Sequence, residues 1–556
     1  MNRNPLFLLL LCLSCSSQPA EPAAPLTATA TQGMVSSAHP LATEAGLEIL
    51  QAGGNAFDAA VAVAAALNVV EPMMSGAGGY GTILVYDAQG QRTRFLNASA
   101  HIPRNTDSDA YRAPTPNFKE NRRGAKAVST PGNVRAWEAI SGEYGALPWE
   151  KLFQPAIRLA REGFELRERE ARFIERAFED FPAHAQAYYG RDGKPLQAGQ
   201  HLVQQDLART LETIARQGAG AFHGGAIGQA IDQAMRDAEG FLSLEDLEAS
   251  QAEWWEPIRI RYREHDVYTA SPPSTAFPSL IRLGLMSRFP ADPQGPTGAG
   301  HLHRFAEATK HAFWCRLAYA GDPDVNPPPL ERLLSEQYWQ EQAEAIDPDQ
   351  ARPFEYPGAR VEATSEEAAS QHTTHFVVAD AQGNIVTATQ TLGNLFGSRI
   401  MAEGTGVWLN NSLAYCTFEP KGNPMDAHAG RRKLSGDCPT IIFRKGRPWV
   451  ALGTPGGHTI GQTVPQMVMN LIDFQMDLGQ ALSAPRISFI EPDLIAVEDG
   501  IGEEVRLELQ KRGHKLRPGV RLGNAHALLI EYDELGSPVR FAGVADPRGG
   551  GLAKGR

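Results

Sequence analysis

The fold turns on Gln371-His372-Thr373-Thr374-His375-Phe376-Val377-Val378-Ala379-Asp380, which runs through Ala381-Gln382-Gly383-Asn384 into Ile385-Val386-Thr387-Ala388-Thr389-Gln390-Thr391-Leu392. Residues 376–378 and 385–391 are β-branched and apolar runs. Asp380, Gly383 and Asn384 supply turn chemistry between them, so the stretch predicts a β-hairpin. Its threonines, Thr373, Thr374, Thr387, Thr389 and Thr391, need a reason. Threonine suits strands, and in an ordinary hairpin a solvated sheet face accounts for it. The preceding residues point elsewhere: 347–371 is acidic, polar and proline-containing, the composition of an exposed linker. A cut at its end would make Thr373 a new N-terminus. An α-amine with a pKa near ~7.7–8.0 can take the proton from its own residue's hydroxyl, so that nucleophile and base are one residue.

Here the sequence resembles the γ-glutamyltransferase (glutathione hydrolase) family of N-terminal nucleophile hydrolases. The family motif is Thr-Thr-His, a short turn, Gly-Asn-x-Val-x-x-Thr-x-Thr-Leu and Phe-Gly. This chain has Thr373-Thr374-His375, Gly383-Asn384-Ile385-Val386, Thr389-Gln390-Thr391-Leu392 and Phe396-Gly397. Val377 stands where the family prefers Ser or Thr, and Gly393 where it prefers Asn. Other family-like pieces, Gln154-Pro155-Ala156 and Tyr319-Ala320-Gly321-Asp322-Pro323, extend the resemblance over residues 38–547.

The resemblance implies an α/β fold, a four-layer αββα sandwich with a helical portion in the large chain. It also implies self-cleavage of the His372–Thr373 bond, giving a large subunit (34–372) and a small one (373–556) that remain together as a heterodimer. Thr373 would then attack an amide carbonyl, of a γ-glutamyl compound such as glutathione, and pass the acyl group to water or to an amine or amino acid acceptor. Thr391 matches the threonine that hydrogen-bonds the nucleophile. Gly456 and Gly457 match the pair whose N–H groups form the oxyanion hole, where loss of one donor costs about 10²–10³ in rate. A plain strand residue and a plain turn are the alternatives at these positions. No cofactor and no metal is implied.

The acyl-group pocket departs from the family. The arginine for the glutamyl carboxylate aligns with Ser99. A Ser-Ser pair becomes Ser435-Gly436, and the Asn-Asn-Gln-x-x-Asp run that holds the α-amine becomes Asn410-Asn411-Ser412-Leu413-Ala414-Tyr415. Each charge-assisted hydrogen bond contributes about 1.5–3 kcal/mol. Losing three would weaken a free glutamyl head-group roughly a thousandfold or more. Arg399 stands where the family has a small residue; a guanidinium binds a carboxylate with two parallel hydrogen bonds, so it is a candidate replacement, with an exposed loop arginine as the alternative. Three readings therefore stay open: a γ-glutamyltransferase or glutathione hydrolase, an acylase for a glutaryl or blocked glutamyl group, and an unprocessed binding protein without catalysis.

With 556 residues the chain can bury a large core. A net charge of −12, with no basic run of five, argues against a nucleic-acid surface. Arg3 and the apolar run 6–13 read as an export signal (1–20), too short to span a bilayer. Cys15 after Leu13-Ser14 resembles a lipoprotein cleavage site, so a periplasmic and a lipid-anchored product are both expected possibilities. Residues 21–33, rich in Pro, Ala and Thr, read as a flexible tether. Cys315, in an aromatic helical stretch, reads as a buried thiol, and Cys416 and Cys438 as a pair that an oxidising compartment would allow to join. Asp58 is expected to cap a fully buried Ala- and Val-rich helix. Gly76-Ala77-Gly78-Gly79-Tyr80-Gly81 lies between a helix and a strand, the wrong order for a dinucleotide fingerprint, and reads as a tight turn.

Overall fold

Thr374–Asp380 and Ile385–Thr391 pair antiparallel, Thr374 opposite Gln390 and Ala379 opposite Ile385. Asp380 closes the turn: its Oδ1 accepts from the N–H groups of Gln382 (3.0 Å) and Asn384 (3.1 Å). Gly383 takes the left-handed conformation the turn requires (φ +87°). The computed structural model that carries this hairpin describes residues 26–112, 120–357 and 372–556. The expected export signal with Cys12 and Cys15, and the end of the expected linker (358–371), lie outside the described residues.

The hairpin sits in the middle of a seven-stranded sheet whose order is Leu552–Gly555, Gly33–Ser37, Thr374–Asp380, Ile385–Thr391, Tyr80–Asp87, Arg92–Asn97, Glu253–Trp255. Side chains alternate along each strand, so its two faces belong to different cores. Phe376, Val378, Val386 and Ala388 pack with helices Pro40–Gln51 and Ala56–Val70. Val377, Ala379 and Ile385 join the core of a second seven-stranded sheet, which runs from Leu26–Ala30 through Pro538–Ala545, His526–Tyr532, Arg447–Gly453, Thr440–Arg444 and His265–Thr269 to Ile258–Tyr262. Phe277–Met286, Ala299–Tyr319 and Ile460–Ile472 share that core and form the fourth layer. This is the αββα sandwich that the resemblance implies.

Two expectations need correction, and one alternative falls away. The tether (21–33) is strand from Leu26: Leu26–Ala30 pairs antiparallel with Pro538–Ala545, Ala30 opposite Phe541. Small Thr and Ala residues on a sheet edge give little hydrophobic pattern, which is why composition alone read as a linker. Ala56–Val70 is buried at every residue, but its cap is Asn55, whose Oδ1 accepts from the N–H groups of Phe57 and Asp58. Asp58 is the return half of that capping box, accepting from Asn55 N–H at 3.1 Å. Nor do the threonines form a solvated face: Thr387 and Thr389 are fully buried between the sheets. There the His375 ring lies 2.8 Å (Nδ1) from Thr389 Oγ1 and 3.1 Å (Nε2) from Thr387 Oγ1. Burial holds this imidazole far below the ordinary histidine value, hence neutral, with one ring nitrogen donating and the other accepting. Gly453 of the facing sheet makes room for it: a Cβ there would stand 2.2 Å from the ring.

Candidate active site

Thr373, 4% exposed, begins the strand beside Thr391. Its Oγ1–H donates to Thr391 Oγ1 at 3.1 Å. Thr391 Oγ1–H in turn donates to the carbonyl oxygen of His372 at 2.9 Å and accepts from Gly393 N–H at 2.8 Å. One hydroxyl thus links the Thr373 hydroxyl to the carbonyl of the peptide bond immediately before it. Donation to that carbonyl draws electron density from its carbon, which favours addition there. Next door, Thr374 Oγ1–H is tied to Glu71 Oε2 at 2.8 Å, and the other Glu71 oxygen accepts from Arg169 at 2.8 Å. His372 is held neutral, its pKa pushed down to about 4 by burial and by Arg176, Arg399 and Arg169.

Thr373 and Thr391 open on a cavity that Ser435, Gly436 and Gly457 also line. Gly456 (φ +144°) and Gly457 (φ +56°) form the turn into helix Ile460–Ile472, and a Cβ on Gly456 would stand 2.4 Å from Thr459 Oγ1. Backbone N–H groups at a helix start carry partial positive charge, suited to an oxygen gaining negative charge. Ser435 Oγ–H donates to Asp437 Oδ2 at 2.7 Å. Around Gly436 a Cβ would meet nothing closer than 3.9 Å.

Three expected substrate contacts are not on this cavity. Asn411 holds the chain instead, Oδ1 accepting from Asn394 N–H (2.8 Å) and Nδ2 donating to Arg122 O (2.7 Å). Asn411 also accounts for Gly393, where φ is +98° and a Cβ would lie 2.1 Å from Asn411 Oδ1. Ser99 is buried at a strand end with Oγ 3.4 Å from Gly81 O. Arg399 faces the other way. Its guanidinium pairs with Asp180 and donates to the carbonyls of Ala177 and Leu395 (both 3.3 Å). A residue a few positions past a hairpin shares its neighbourhood, not its facing.

The cavity brings forward residues that sequence reasoning passed over: Arg316, Lys433, Asp437, Tyr80, Tyr415 and His458. Two signals were there to use. Arg431-Arg432-Lys433 ends one residue short of Ser435, with Leu434 between, and Arg316 interrupts an aromatic, apolar helical run. Burial raises the Asp437 carboxyl and lowers the Lys433 ammonium and the Arg316 guanidinium. His458 is neutral, pushed down to about 3 by burial. Cys416 and Cys438 are separate free thiols, Cys438 against Thr269 Oγ1 at 3.4 Å, and Cys315 is a buried thiol.

The sequence model for Gamma-glutamyltranspeptidase matches residues 42–555. The chain belongs to that family. The glutathione hydrolase proenzyme of Escherichia coli (strain K12) is 34% identical over 536 residues, covering 93% of this chain and 91% of its own. The acylase ACY 1 proenzyme of Pseudomonas sp. (strain V22) is 35% identical over 523 residues, 91% of each chain. Among solved structures, cephalosporin acylase from Bacillus halodurans superposes with a TM-score of 0.87 at 28% identity over 97% of this chain and 99% of that one. Within the γ-glutamyltranspeptidase family this chain is therefore similar to hydrolases and acylases alike.

Proposed function

We propose that this chain is a self-processing enzyme of the glutathione hydrolase type, which hydrolyses or transfers the acyl group of an amide through an ester on Thr373. The observation that carries the reading is the chain of hydrogen bonds Thr373 Oγ1, Thr391 Oγ1, His372 O at the edge of a cavity. In maturation, Thr373 Oγ adds to the His372 carbonyl carbon, the peptide C–N bond breaks, and an ester replaces the amide. Water then cleaves the ester, leaving a carboxylate on His372 and a free α-amine on Thr373. In turnover that amine takes the hydroxyl proton as Oγ adds to the substrate carbonyl, with the Gly456-Gly457 N–H groups against the new oxyanion. The proton leaves with the departing amine, and water or an acceptor amine releases the acyl group. The two product chains stay together because strands of both alternate in the same sheets. γ-Glutamyl compounds such as glutathione are the reference substrates; the similarity to acylases brings glutaryl-type amides alongside them.

The test is electrophoresis with N-terminal sequencing. Two chains are expected, the smaller beginning at Thr373, with release of aniline from an acyl anilide by the split form alone. An active, uncut chain would end the reading. We infer export from the apolar run 6–13 behind Arg3, either to a soluble periplasmic form or to a lipid anchor at Cys15. Fractionation that finds the split chains only in the cytoplasm would overturn that.

A further inference from the structure

Buried cations in this chain come with partners. Arg486 has Asp546 at 2.9 Å and Lys310 has Glu307 at 3.0 Å, and the half-buried Arg432 has Glu253 at 2.8 Å. Arg282, buried without a carboxylate, gives its N–H groups to Thr309 Oγ1 and Gly461 O instead. The two cations of the Thr373 cavity break the pattern. Lys433 is 2% exposed, yet among the described residues its ammonium has no carboxylate within 4 Å. Its Nζ instead lies over the Tyr80 ring, 4.1 Å from the centroid, with the Tyr415 ring at 5.3 Å. Arg316, half-buried at the end of helix Ala299–Tyr319, has a distant ring contact with Phe313 and, among the described residues, no ion pair. Leaving a buried charge unpaired costs several kcal/mol, so such groups persist where something else supplies the counter-charge.

Asp437 is the cavity's carboxylate, and its Oδ2 already accepts from Ser435 Oγ (2.7 Å) and Thr82 Oγ1 (3.4 Å). Among the residues lining the cavity, two cations stand against one carboxylate, within the same walls as the Thr373 hydroxyl; Glu491 acts on Arg316 from outside that lining. Arg316 also depresses the Lys433 ammonium, as a neighbouring like charge does. The family's own anchors are gone from here: Ser99 is off the cavity, and Gly436 has no hydroxyl.

We propose that Arg316 and Lys433 form the carboxylate site of this enzyme, holding the free carboxylate of an acyl group whose other end is attacked by Thr373. The proposal rests on the amide-hydrolase reading above and names its substrate class: amides of acids that carry a second, free carboxylate. A γ-glutamyl and a glutaryl group share that chemistry and differ in the α-ammonium, for which Asp437 is the available acceptor.

The experiment uses the split, two-chain protein and its Lys433→Met and Arg316→Gln variants, which keep side-chain bulk. Steady-state kinetics are taken with glutaryl, γ-glutamyl and uncharged pentanoyl anilides, and glutarate binding is measured by calorimetry. Each variant is expected to split normally, to raise KM for the carboxylate-bearing anilides by about tenfold to a hundredfold, and to leave the pentanoyl anilide within about twofold. Glutarate affinity is expected to drop by at least tenfold in each. Asp437→Asn separates the two sources: weakening γ-glutamyl but not glutaryl turnover identifies the ammonium-bearing group. Unchanged KM and glutarate affinity in both variants would overturn the proposal, as would equal losses on all three anilides or no glutarate binding by the wild type. If no anilide is turned over, the hydrolase reading fails, and glutarate binding alone then decides the cation site.

Discussion

The Thr373 cavity has two unlike walls. On the hairpin wall the threonine hydroxyls and the His375 ring have partners inside the protein: Thr373 on Thr391, Thr391 on His372 and Gly393, Thr374 on Glu71, His375 on Thr387 and Thr389. On the loop wall Lys433 and Arg316 face the cavity and, among the described residues, neither forms an ion pair, although Asp437 lines the same cavity. The first wall is rigid and self-sufficient, as bond-making requires. The second, on the proposal above, is completed by the carboxylate of a ligand. A lineage can therefore exchange the second wall without disturbing the first.

The comparison breaks most sharply at Thr373. Thr373→Ala removes the oxygen proposed to attack, and an uncut, inactive chain is expected by electrophoresis and aniline release. Thr391→Ala should fall short of that. It deletes the donor to the His372 carbonyl, so chain splitting should slow by roughly 10²–10³-fold while the fold persists. Splitting at the wild-type rate would reduce Thr391 to a strand residue.

The two walls also differ in how far they could be read from sequence. The hairpin wall is nearly contiguous: strand alternation and one turn place Thr373, His375, Thr387, Thr389 and Thr391 on one face, so motif and geometry coincide. What the hairpin alone could not show is the second sheet that covers this face, so a solvated face stayed the plain alternative for its threonines. The loop wall joins a helix end (Arg316), a strand start (Tyr80), a short 3₁₀ turn (Tyr415) and an irregular loop (Lys433 to Asp437). No periodicity sets where those side chains point. Alignment reached Ser435 and Gly436, yet it put forward Ser99 and Arg399, which turn elsewhere, and passed over Lys433 two residues away.

Acid should loosen both walls through the buried histidines. His372 is depressed to about 4, and His458 and His526 to about 3, by burial. The folded state keeps them neutral while the unfolded chain protonates near 6.5, so between those values the unfolded state binds more protons. Their contribution is complete above about pH 6.5 and is lost as pH falls toward 4. A drop in Tm of several degrees from pH 7 to pH 5 is expected by calorimetry, and a flat profile would contradict the neutral His375–Thr387–Thr389 interior as well.

Gly436→Ser sharpens the contrast more gently. With 3.9 Å of clearance for a Cβ, the substitution should change stability by less than ~0.5 kcal/mol. It returns a hydroxyl beside Ser435. If the loop wall is the carboxylate site, KM for a γ-glutamyl anilide should fall by a few-fold up to about tenfold, with kcat nearly constant. An unchanged KM would place the carboxylate out of reach of Gly436.

The smallest effect belongs to Arg399, and it tests whether proximity along the chain was ever an argument for function. Arg399 sits at φ +65°, a conformation that costs a side-chain-bearing residue about 1–2 kcal/mol and glycine nothing comparable. Its guanidinium partly offsets that by pairing with Asp180, itself 45% exposed, a contact of about 0–1 kcal/mol. Arg399→Gly removes strain and ion pair together, so the two should nearly cancel, leaving stability within about 1 kcal/mol of wild type. Because the side chain points to Ala177 and Asp180 and not to the Thr373 cavity, KM for glutaryl and γ-glutamyl anilides should not move. A rise in KM confined to those two substrates would restore Arg399 to the site and remove the loop wall's claim to the carboxylate.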